Sequence, residues 1–330
     1  MSLRTFFRLF THMQMLPILE SGEETLVGGQ AVMEGVMMRA PHSYCVAVRK
    51  PNGEIVTEEM PLARMSEQYP IFKLPVFRGV GTLYQALKLG GRALKFSAEA
   101  ALDQPNQEGS AAKEPPKEVP SWVVAGPIVV SLAFFIFMYK FVPLFLVTKL
   151  EKVYPMLEGR VAFNLADGLI RMVILLTLLY VLSRLKDIRR VFEYHGAEHK
   201  VVFNFESGQP LTVENAQRFT TFHPRCGTSF LFVVFLLAIP VYTLIPYTDF
   251  VSKLVLRVLL MPVIAGIAYE LIRFAAKRRG SFMATLTAPG LWMQRITTKP
   301  PADDQAAVAI HALEGAMELE KSQGGQLVIA

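Results

Sequence analysis

The sequence predicts an α-helical membrane protein with four transmembrane helices and a small cytoplasmic α+β portion that contains a β-hairpin. Three observations support this fold class. The 330 residues are 52% hydrophobic with a mean hydropathy of +0.34, which is unusual for a soluble chain of this length. Four apolar stretches are long enough to cross a bilayer. Near the N-terminus, two strand-like segments flank the turn sequence "KPNG".

The first 102 residues are predicted to form a cytoplasmic region with a small β unit. Its strands are "SYCVAVR" and "EIVTEEM", on either side of the turn. The preceding segment, "LVGGQAVMEGVMMRAP", is rich in glycine, and Gly28, Gly29 and Gly35 suit tight turns or the close approach of another segment. Glu34 is the one acid among small and apolar residues there. It could be a ligand or a base, or it could be a capping or solvated side chain.

The segment 71–96 mixes apolar residues with Lys and Arg and contains no acid. This composition suits an amphipathic helix on an anionic lipid surface, and packing against the β unit is the alternative. Residues 103–120 are polar and rich in proline, which predicts a linker.

Residues 121–273 are predicted to form a membrane domain of four spans. The spans are 121–139, 161–183, 227–248 and 254–273. Because only a few residues join the third span to the fourth, these two should form a helical hairpin.

The distribution of Lys and Arg predicts the orientation of the spans. The loop 184–227 has seven of these residues, whereas the loop 148–160 has three. The positive-inside rule then places the loop 184–227 and both termini in the cytoplasm. Residues 274–330 become a cytoplasmic tail, with an amphipathic helix predicted over 303–320.

Several charged residues lie inside the predicted spans, namely Lys140, Asp167, Arg171, Arg257 and Glu270. Two interpretations compete. One is a polar cavity, with Glu270 near the cytoplasmic end. The other is snorkelling of side chains near the span ends, together with one structural ion pair between Asp167 and Arg171.

The segment "FEYHGAEHKVV" carries the clearest chemical signal, with His195, Glu198 and His199 in the order H-x-x-E-H. On a helix, the two histidines are one turn apart on one face and can bind one divalent metal. Glu198 could then act as the catalytic general base, as in inverted-motif zinc peptidases. The alternative is two histidines on a polar helix face.

Downstream, "FHPRCGTSF" supplies His223 and Cys226, two further good zinc ligands. Four of the eight His and Cys residues of the chain therefore fall within 32 positions. This clustering predicts a Zn²⁺ site formed by His195, His199 and Cys226, with His223 as the fourth group.

The remaining composition limits the class of protein. Two cysteines argue against a disulfide framework, and the net charge of +6 fits the positive-inside bias better than nucleic-acid binding. The expected partners are the lipid bilayer and a cytoplasmic or membrane protein, and no nucleic acid is expected.

Four separated motifs resemble the YqhQ-like family of bacterial membrane proteins, over most of the chain from about Gly28 to Ala312. They are "GGQAVMEGVMMRAP", "EYHGAEHKVV", "HPRCGTSF" and "TAPGLWMQRITTKPPADDQ". The family is uncharacterised and is described as a predicted metal-dependent enzyme. The resemblance therefore adds weight to the site at residues 195–226 but implies no substrate.

Three functions remain open from the sequence. The first is a metal-dependent hydrolase or peptidase at the cytoplasmic face, with Glu198 as the base. The second is a non-enzymatic scaffold or assembly factor, because four protein ligands would close the zinc site and leave no position for water. The third is a transporter, although four spans without an evident repeat count against it.

Overall fold

The N-terminal part of the chain forms a four-stranded antiparallel sheet in which each strand pairs with the next one along the sequence. The computed structural model describes residues 27–63, 65–102, 121–223, 226–246, 249–277 and 282–322. The strands are β1 (Gly28–Val32), β2 (Gly35–Arg39), β3 (Ser43–Arg49) and β4 (Ile55–Pro61). The linker predicted at 103–120 lies outside the described residues.

The predicted hairpin corresponds to β3 and β4, and the structure confirms it. The glycine-rich segment before it, from which the sequence predicts only turns and close approaches, forms a further hairpin from β1 and β2. It does so because Val32, Val36 and Met38 are fully buried and give this segment apolar faces to pack. The close approach is confirmed at Gly35, where a Cβ would lie 2.2 Å from the carbonyl oxygen of Ala47, and at Gly29, where it would lie 2.7 Å from that of Met37. A Cβ at Gly28 would meet no described atom within 4 Å.

Helices make up most of the rest of the described chain. In order, they are α1 (Met65–Gln68), α2 (Phe77–Leu102), α3 (Ser121–Ile136), α4 (Val142–Glu151), α5 (Arg160–Leu182), α6 (Lys186–Glu206), α7 (Val213–Gln217), α8 (Gly227–Leu244), α9 (Phe250–Leu259), α10 (Met261–Lys277), α11 (Phe282–Thr297) and α12 (Asp303–Ser322). A π-helical turn, Phe137–Phe141, joins α3 to α4.

The described residues divide into two compact units. The first comprises those of Met1–Asp103, Leu182–Val233 and Ala265–Ala330, and the second comprises those of Gln104–Val181 and Val234–Ile264. The first unit contains the sheet together with α2, α6 and α12. The second is built from apolar helices.

In the first unit, helices cover both faces of the sheet. Successive residues of a strand point to opposite faces, so Met38 packs with α6 and α12 while Met37 packs with α2. The predicted amphipathic helix is therefore α2, and it uses Leu89 and Ala93 to pack on the sheet, while Leu87 remains exposed. The alternative prediction, that this segment packs against the β unit, is therefore correct for the helix face that carries Leu89 and Ala93.

The predicted tail helix is present as α12, but it is a core element of the first unit. Leu313 and Ala316 are fully buried against the sheet. Glu320 is also buried, and it accepts hydrogen bonds from the Ser43 hydroxyl at 2.9 Å and from the backbone N–H of His42 at 2.8 Å.

Three described helices are long and apolar enough to cross a membrane, and a bent pair is a fourth candidate. They are Val129–Glu151, Arg160–Leu182 and Gly227–Leu244, and the pair is Phe250–Leu259 with Met261–Phe274. The first candidate extends further toward the C-terminus than the predicted 121–139, because the π-helical turn carries the helix past Lys140.

The fourth predicted span, 254–273, is not one straight helix. Its two halves are bent by 47° at Leu260. Pro262 follows the break immediately, and a proline ring lacks the N–H and crowds the turn before it, which accounts for the bend.

The sequence "SRLKDIRRVFEYHG" continues a helical pattern after the second span, which predicts that this span extends outward as the helix carrying His195. The structure instead ends α5 at Leu182 and begins α6 at Lys186. Leu185 caps α6 in an extended conformation, with ψ 131°, so the histidine helix is a separate element.

A close backbone approach fixes α6 within the first unit. A Cβ placed on Gly196 would lie 2.0 Å from the carbonyl oxygen of Lys299. The backbone N–H of Lys299 donates to the carbonyl of Phe192 on α6 at 2.9 Å. The segment after α11 therefore runs directly against the helix, at a distance that leaves no room for a side chain.

We predict that Gly196→Ala destabilises the protein, since the added methyl group must push the helix and the Lys299 backbone apart. The expected loss is roughly 1–3 kcal/mol of unfolding free energy, as for other overpacked sites. Gly91→Ala is the matched control, because Gly91 is helical and exposed, and a Cβ added there would meet no described atom within 4 Å. That control should be stabilising by about 0.5–1 kcal/mol. Thermal unfolding of the purified variants measures both, and equal midpoints would contradict the close approach.

Candidate metal centre

Helix α6 places His195 and His199 one turn apart on the same face, as the H-x-x-E-H spacing predicts. Their ring centroids are 4.5 Å apart. His199 is buried, and His195 is partly buried. The two imidazoles therefore share one small region of the first unit.

Cys226 completes a group of three potential ligands. Its Sγ lies 3.3 Å from Nε2 of His195, and one ligand atom from each of His195, His199 and Cys226 lies within 4.8 Å of the others. Cys226 is the residue just before α8, and the hydroxyl of Thr228 donates to its sulfur at 3.4 Å. Three of the four predicted ligands thus converge.

Hydrogen bonds to the backbone orient both imidazole rings. Nδ1 of His195 lies 2.8 Å from the carbonyl oxygen of Thr297, and Nδ1 of His199 lies 2.5 Å from that of Thr221. Because a carbonyl oxygen only accepts, each Nδ1 must carry the proton. Each Nε2 is then left with its lone pair available, which is the tautomer that a metal ligand requires.

The loop that carries Thr221 is held by a lysine on the same helix as the histidines. Nζ of Lys200 donates to the carbonyl of Gln217 at 2.7 Å and to that of Phe219 at 2.6 Å. Burial lowers the pKa of Lys200 from its ordinary value. The two carbonyl contacts therefore tie the start of the loop to α6, beside His199.

Glu198, the predicted base, is buried next to the three ligands. Its Oε2 lies 3.4 Å from Nε2 of His199. Its Cγ would be 2.7 Å from a Cβ on Gly29, so the glycine of β1 makes room for this side chain. The carboxylate is therefore held beside Nε2 of His199.

The structure places His223, the predicted fourth ligand, beside the group but not in it. Its ring centroid is 5.6 Å from that of His199, and its Nε2 lies 3.6 Å from Oε2 of Glu206. Burial lowers the pKa of His223 to about 4, with an opposing effect from Glu198 and a further lowering from His195. The ring is consequently neutral at pH 7.

The backbone of His223 is clamped by a side chain that sequence analysis does not single out. Gln294 on α11 is fully buried, and its Oε1 accepts from the His223 N–H at 2.8 Å. Its Nε2 donates to the His223 carbonyl at 2.7 Å. The motif "TAPGLWMQRITTKPPADDQ" contains this residue, but nothing in the spacing indicates which backbone an amide will meet.

Two other acids considered as site residues are engaged elsewhere in ion pairs. Glu34 pairs with Arg190, and its Oε2 lies 3.3 Å from the hydroxyl of Tyr194. Glu270 accepts from Nε of Arg78 at 3.0 Å. Neither carboxylate belongs to the ligand group.

The other cysteine of the chain is also separate from the group. Cys45 is buried in the sheet, and burial raises the pKa of its thiol to about 12. It is therefore a protonated core residue.

Comparison with known sequences assigns the chain to a family. The family described as "Protein of unknown function (DUF1385)" matches residues 74–319. The uncharacterized protein YqhQ of Bacillus subtilis (strain 168) is 34% identical over 299 residues, which cover 89% of this chain and 92% of that protein. No solved structure matches the chain. The family match covers the H-x-x-E-H helix, the Cys226 loop and the Gln294 clamp, and the chain therefore belongs to the DUF1385 family of YqhQ-like proteins.

Proposed function

We propose that this protein is a metal-dependent hydrolase of the bacterial inner membrane, a peptidase being one form it could take. Zinc would be held by His195, His199 and Cys226, and Glu198 would be the catalytic base. The observation that carries the proposal is the convergence of these three ligand atoms, each within 4.8 Å of the others.

The donor set fits zinc. Two imidazole nitrogens and one sulfur are ligands that zinc accepts readily, whereas magnesium and calcium prefer oxygen. Both rings already have Nδ1 bonded to a carbonyl, so neither His195 nor His199 must change tautomer to bind. When bound to three protein ligands, zinc supplies an acidified water and a Lewis acid for a carbonyl or phosphoryl oxygen.

Three ligands rather than four favour an enzyme over a closed structural site. Catalytic zinc sites keep one position open, and four protein ligands fill it. Glu198 would serve that open position, and the proposal is supported by its carboxylate, which lies beside Nε2 of His199 and is shielded from bulk water. A buried carboxylate at this place can accept a proton from water and return it to a leaving group.

The alternative is a non-enzymatic scaffold or assembly factor with a closed zinc site, and one observation favours it. His223 is buried, neutral and only 5.6 Å from His199 between ring centroids. If the His223 ring turned toward His195, His199 and Cys226, four protein ligands would join the loop that carries His223 to α6. Glu198 would then be a partner that orients a histidine and not a base.

The apolar helices support the membrane assignment. A helix of 23 residues, such as Arg160–Leu182, is about 34 Å long, which exceeds the hydrocarbon thickness of about 30 Å. Many of its large apolar side chains, including Leu165, Leu169 and Val173, are exposed. Lipid is the partner that such a surface suits, and counting the bent pair as one span gives four spans with both termini on one side.

We predict that the purified protein contains about one zinc ion per chain and that the double variant His195→Ala/His199→Ala contains none. Two of the three ligands are then missing, and one thiolate does not hold zinc alone. His311→Ala is the matched control, because His311 is exposed on α12. Elemental analysis after gel filtration gives the metal content. Full zinc content in the double variant would show that the site is elsewhere or absent.

Glu198→Gln separates the enzyme from the scaffold. The amide keeps the size of the side chain and its packing on Gly29, but it cannot take up a proton. In an enzyme, this variant should lose cellular function in a deletion strain while its zinc content and abundance stay normal. Normal complementation by Glu198→Gln would contradict the hydrolase proposal and would support the non-enzymatic scaffold.

The predicted orientation places the loop between α6 and α7 in the cytoplasm. Gly208 and Gln209 are exposed there, so a reporter inserted between them should be tolerated. A cytoplasmic reporter at this point should be active, and alkaline phosphatase should be inactive. The opposite pattern would overturn the orientation and place the metal centre outside the cytoplasm.

A further inference from the structure

The second unit contains a cluster of buried charged side chains that the proposed hydrolase does not use. Asp167 on α5 and Arg257 on α9 are 1% and 0% exposed, and Arg171 on α5 is 1% exposed. Asp167 bonds to both guanidiniums, through Oδ2 to Arg171 and through Oδ1 to Arg257 at 2.5 Å. Asn164 adds an acceptor for Nη2 of Arg257 at 2.8 Å. These side chains are not snorkelling toward water.

A third cation belongs to the same cluster. Lys140, in the π-helical turn, is 7% exposed, and its Nζ lies 3.0 Å from the hydroxyl of Tyr242. The ring of Tyr242 has all three cations around it. Its centroid is 5.5 Å from Nζ of Lys140, 5.6 Å from Cζ of Arg171 and 5.0 Å from Cζ of Arg257.

The charges of this cluster do not balance. Within the part of the second unit that the structure describes, Asp167 is the one acid paired with either guanidinium, against Lys140, Arg171 and Arg257. Arginine does not lose its proton in proteins, so a positive charge remains even if Lys140 is neutral. An uncompensated charge buried among apolar helices is costly, and such charges mark binding sites or pathways.

Both arginines also retain unused hydrogen-bonding capacity. Nε of Arg171 and Nε of Arg257 are buried and have no hydrogen-bond partner among the described residues. A buried charged donor without an acceptor carries a further penalty, because its desolvation is not offset. An anion with several acceptor oxygens would both balance the excess positive charge and accept hydrogen bonds from the two Nε donors.

From these contacts we infer that Lys140, Arg171 and Arg257 form a binding site for a phosphate group within the apolar helices. Phosphate suits the cluster better than a carboxylate does, because a monoester carries nearly two negative charges and offers several oxygens. Two negative charges match the excess of two positive charges when Lys140 is protonated. The ligand is a lipid phosphate monoester or free inorganic phosphate, which share this chemistry. The inference does not depend on the metal centre.

The test uses the full-length protein in phosphatidylcholine nanodiscs, with thermal unfolding as the readout. One arm adds inorganic phosphate to the solution, and the other includes phosphatidic acid in the bilayer. A saturable rise of the unfolding midpoint in one arm identifies the source of the phosphate. Phosphatidylglycerol, a diester with one charge, should raise the midpoint less. No rise with either phosphate or phosphatidic acid would overturn the proposal.

Lys140→Met tests the site itself, with Lys149→Met as the matched control. Lys149 is exposed on α4, so its removal changes the charge of the same region without touching the cluster. Lys140→Met should weaken phosphate affinity at least about tenfold, since a charge-assisted hydrogen bond is lost. Without phosphate, the same variant should unfold at a higher temperature than wild type, because an uncompensated buried charge is gone. A variant that responds to phosphate like Lys149→Met would contradict the assignment.

Asp167→Asn provides a second, independent variant. It removes the acid and raises the excess positive charge, so the protein should be less stable without phosphate and should be rescued by phosphate toward the wild-type midpoint. A simple structural ion pair would give the same loss with and without phosphate. Failure of phosphate to rescue this variant would show that the cluster is a closed ion network.

Discussion

The approach of α6 to the backbone at Lys299 is the contact on which the candidate metal centre depends. Gly196 permits it, because any side chain there would meet the Lys299 carbonyl. The same approach brings the Thr297 carbonyl to Nδ1 of His195 and thereby orients the imidazole of the first candidate ligand. Gly196, one residue after His195, thus determines how the His195 ring is held. The ring of His199, the second candidate ligand, is oriented similarly, through the loop that Lys200 holds against the same helix.

Two sets of buried polar side chains, one in each unit, are satisfied to different degrees. In the first unit, Glu320 and Gln294 are buried, and each satisfies two backbone or side-chain partners. In the second unit, Arg171 and Arg257 share one carboxylate, and their Nε atoms have no acceptor within the described chain. Satisfied polar groups such as Glu320 and Gln294 define a packing arrangement, whereas the excess positive charge around Asp167 is what the inferred phosphate would balance.

Local sequence signals predicted the local parts of this structure well. The hairpin of β3 and β4, the tail helix and three of the apolar helices follow from periodicity, turn residues and hydropathy. The spacing of His195 and His199 placed two ligands on one helix face. Hydropathy does not predict the break before Lys186 or the bend at Leu260, because a hydropathy window averages over single-residue signals such as Pro262.

Contacts between segments that are distant in the sequence cannot be predicted from such local signals. The sequence predicts both Cys226 and His223 as ligands and does not indicate that His223 lies beside the group, since that depends on Gln294 and on side-chain packing. The buried state of Arg257 could not be inferred from one helix, because its acid partner is 90 positions away.

The position of α12 in the first unit has a consequence for biosynthesis. One face of the sheet packs against α12 and α6, and the sheet lies before all of the apolar helices in the sequence, whereas α12 lies after them. A ribosome therefore makes the strands early and the helix that covers them late. Until then, buried residues such as Met38 and Cys45 lack part of their cover, and the backbone near Lys299 that orients His195 does not yet exist. Translation order thus delays closure of this core, and one apolar face of the nascent sheet stays partly uncovered while the apolar helices are being made.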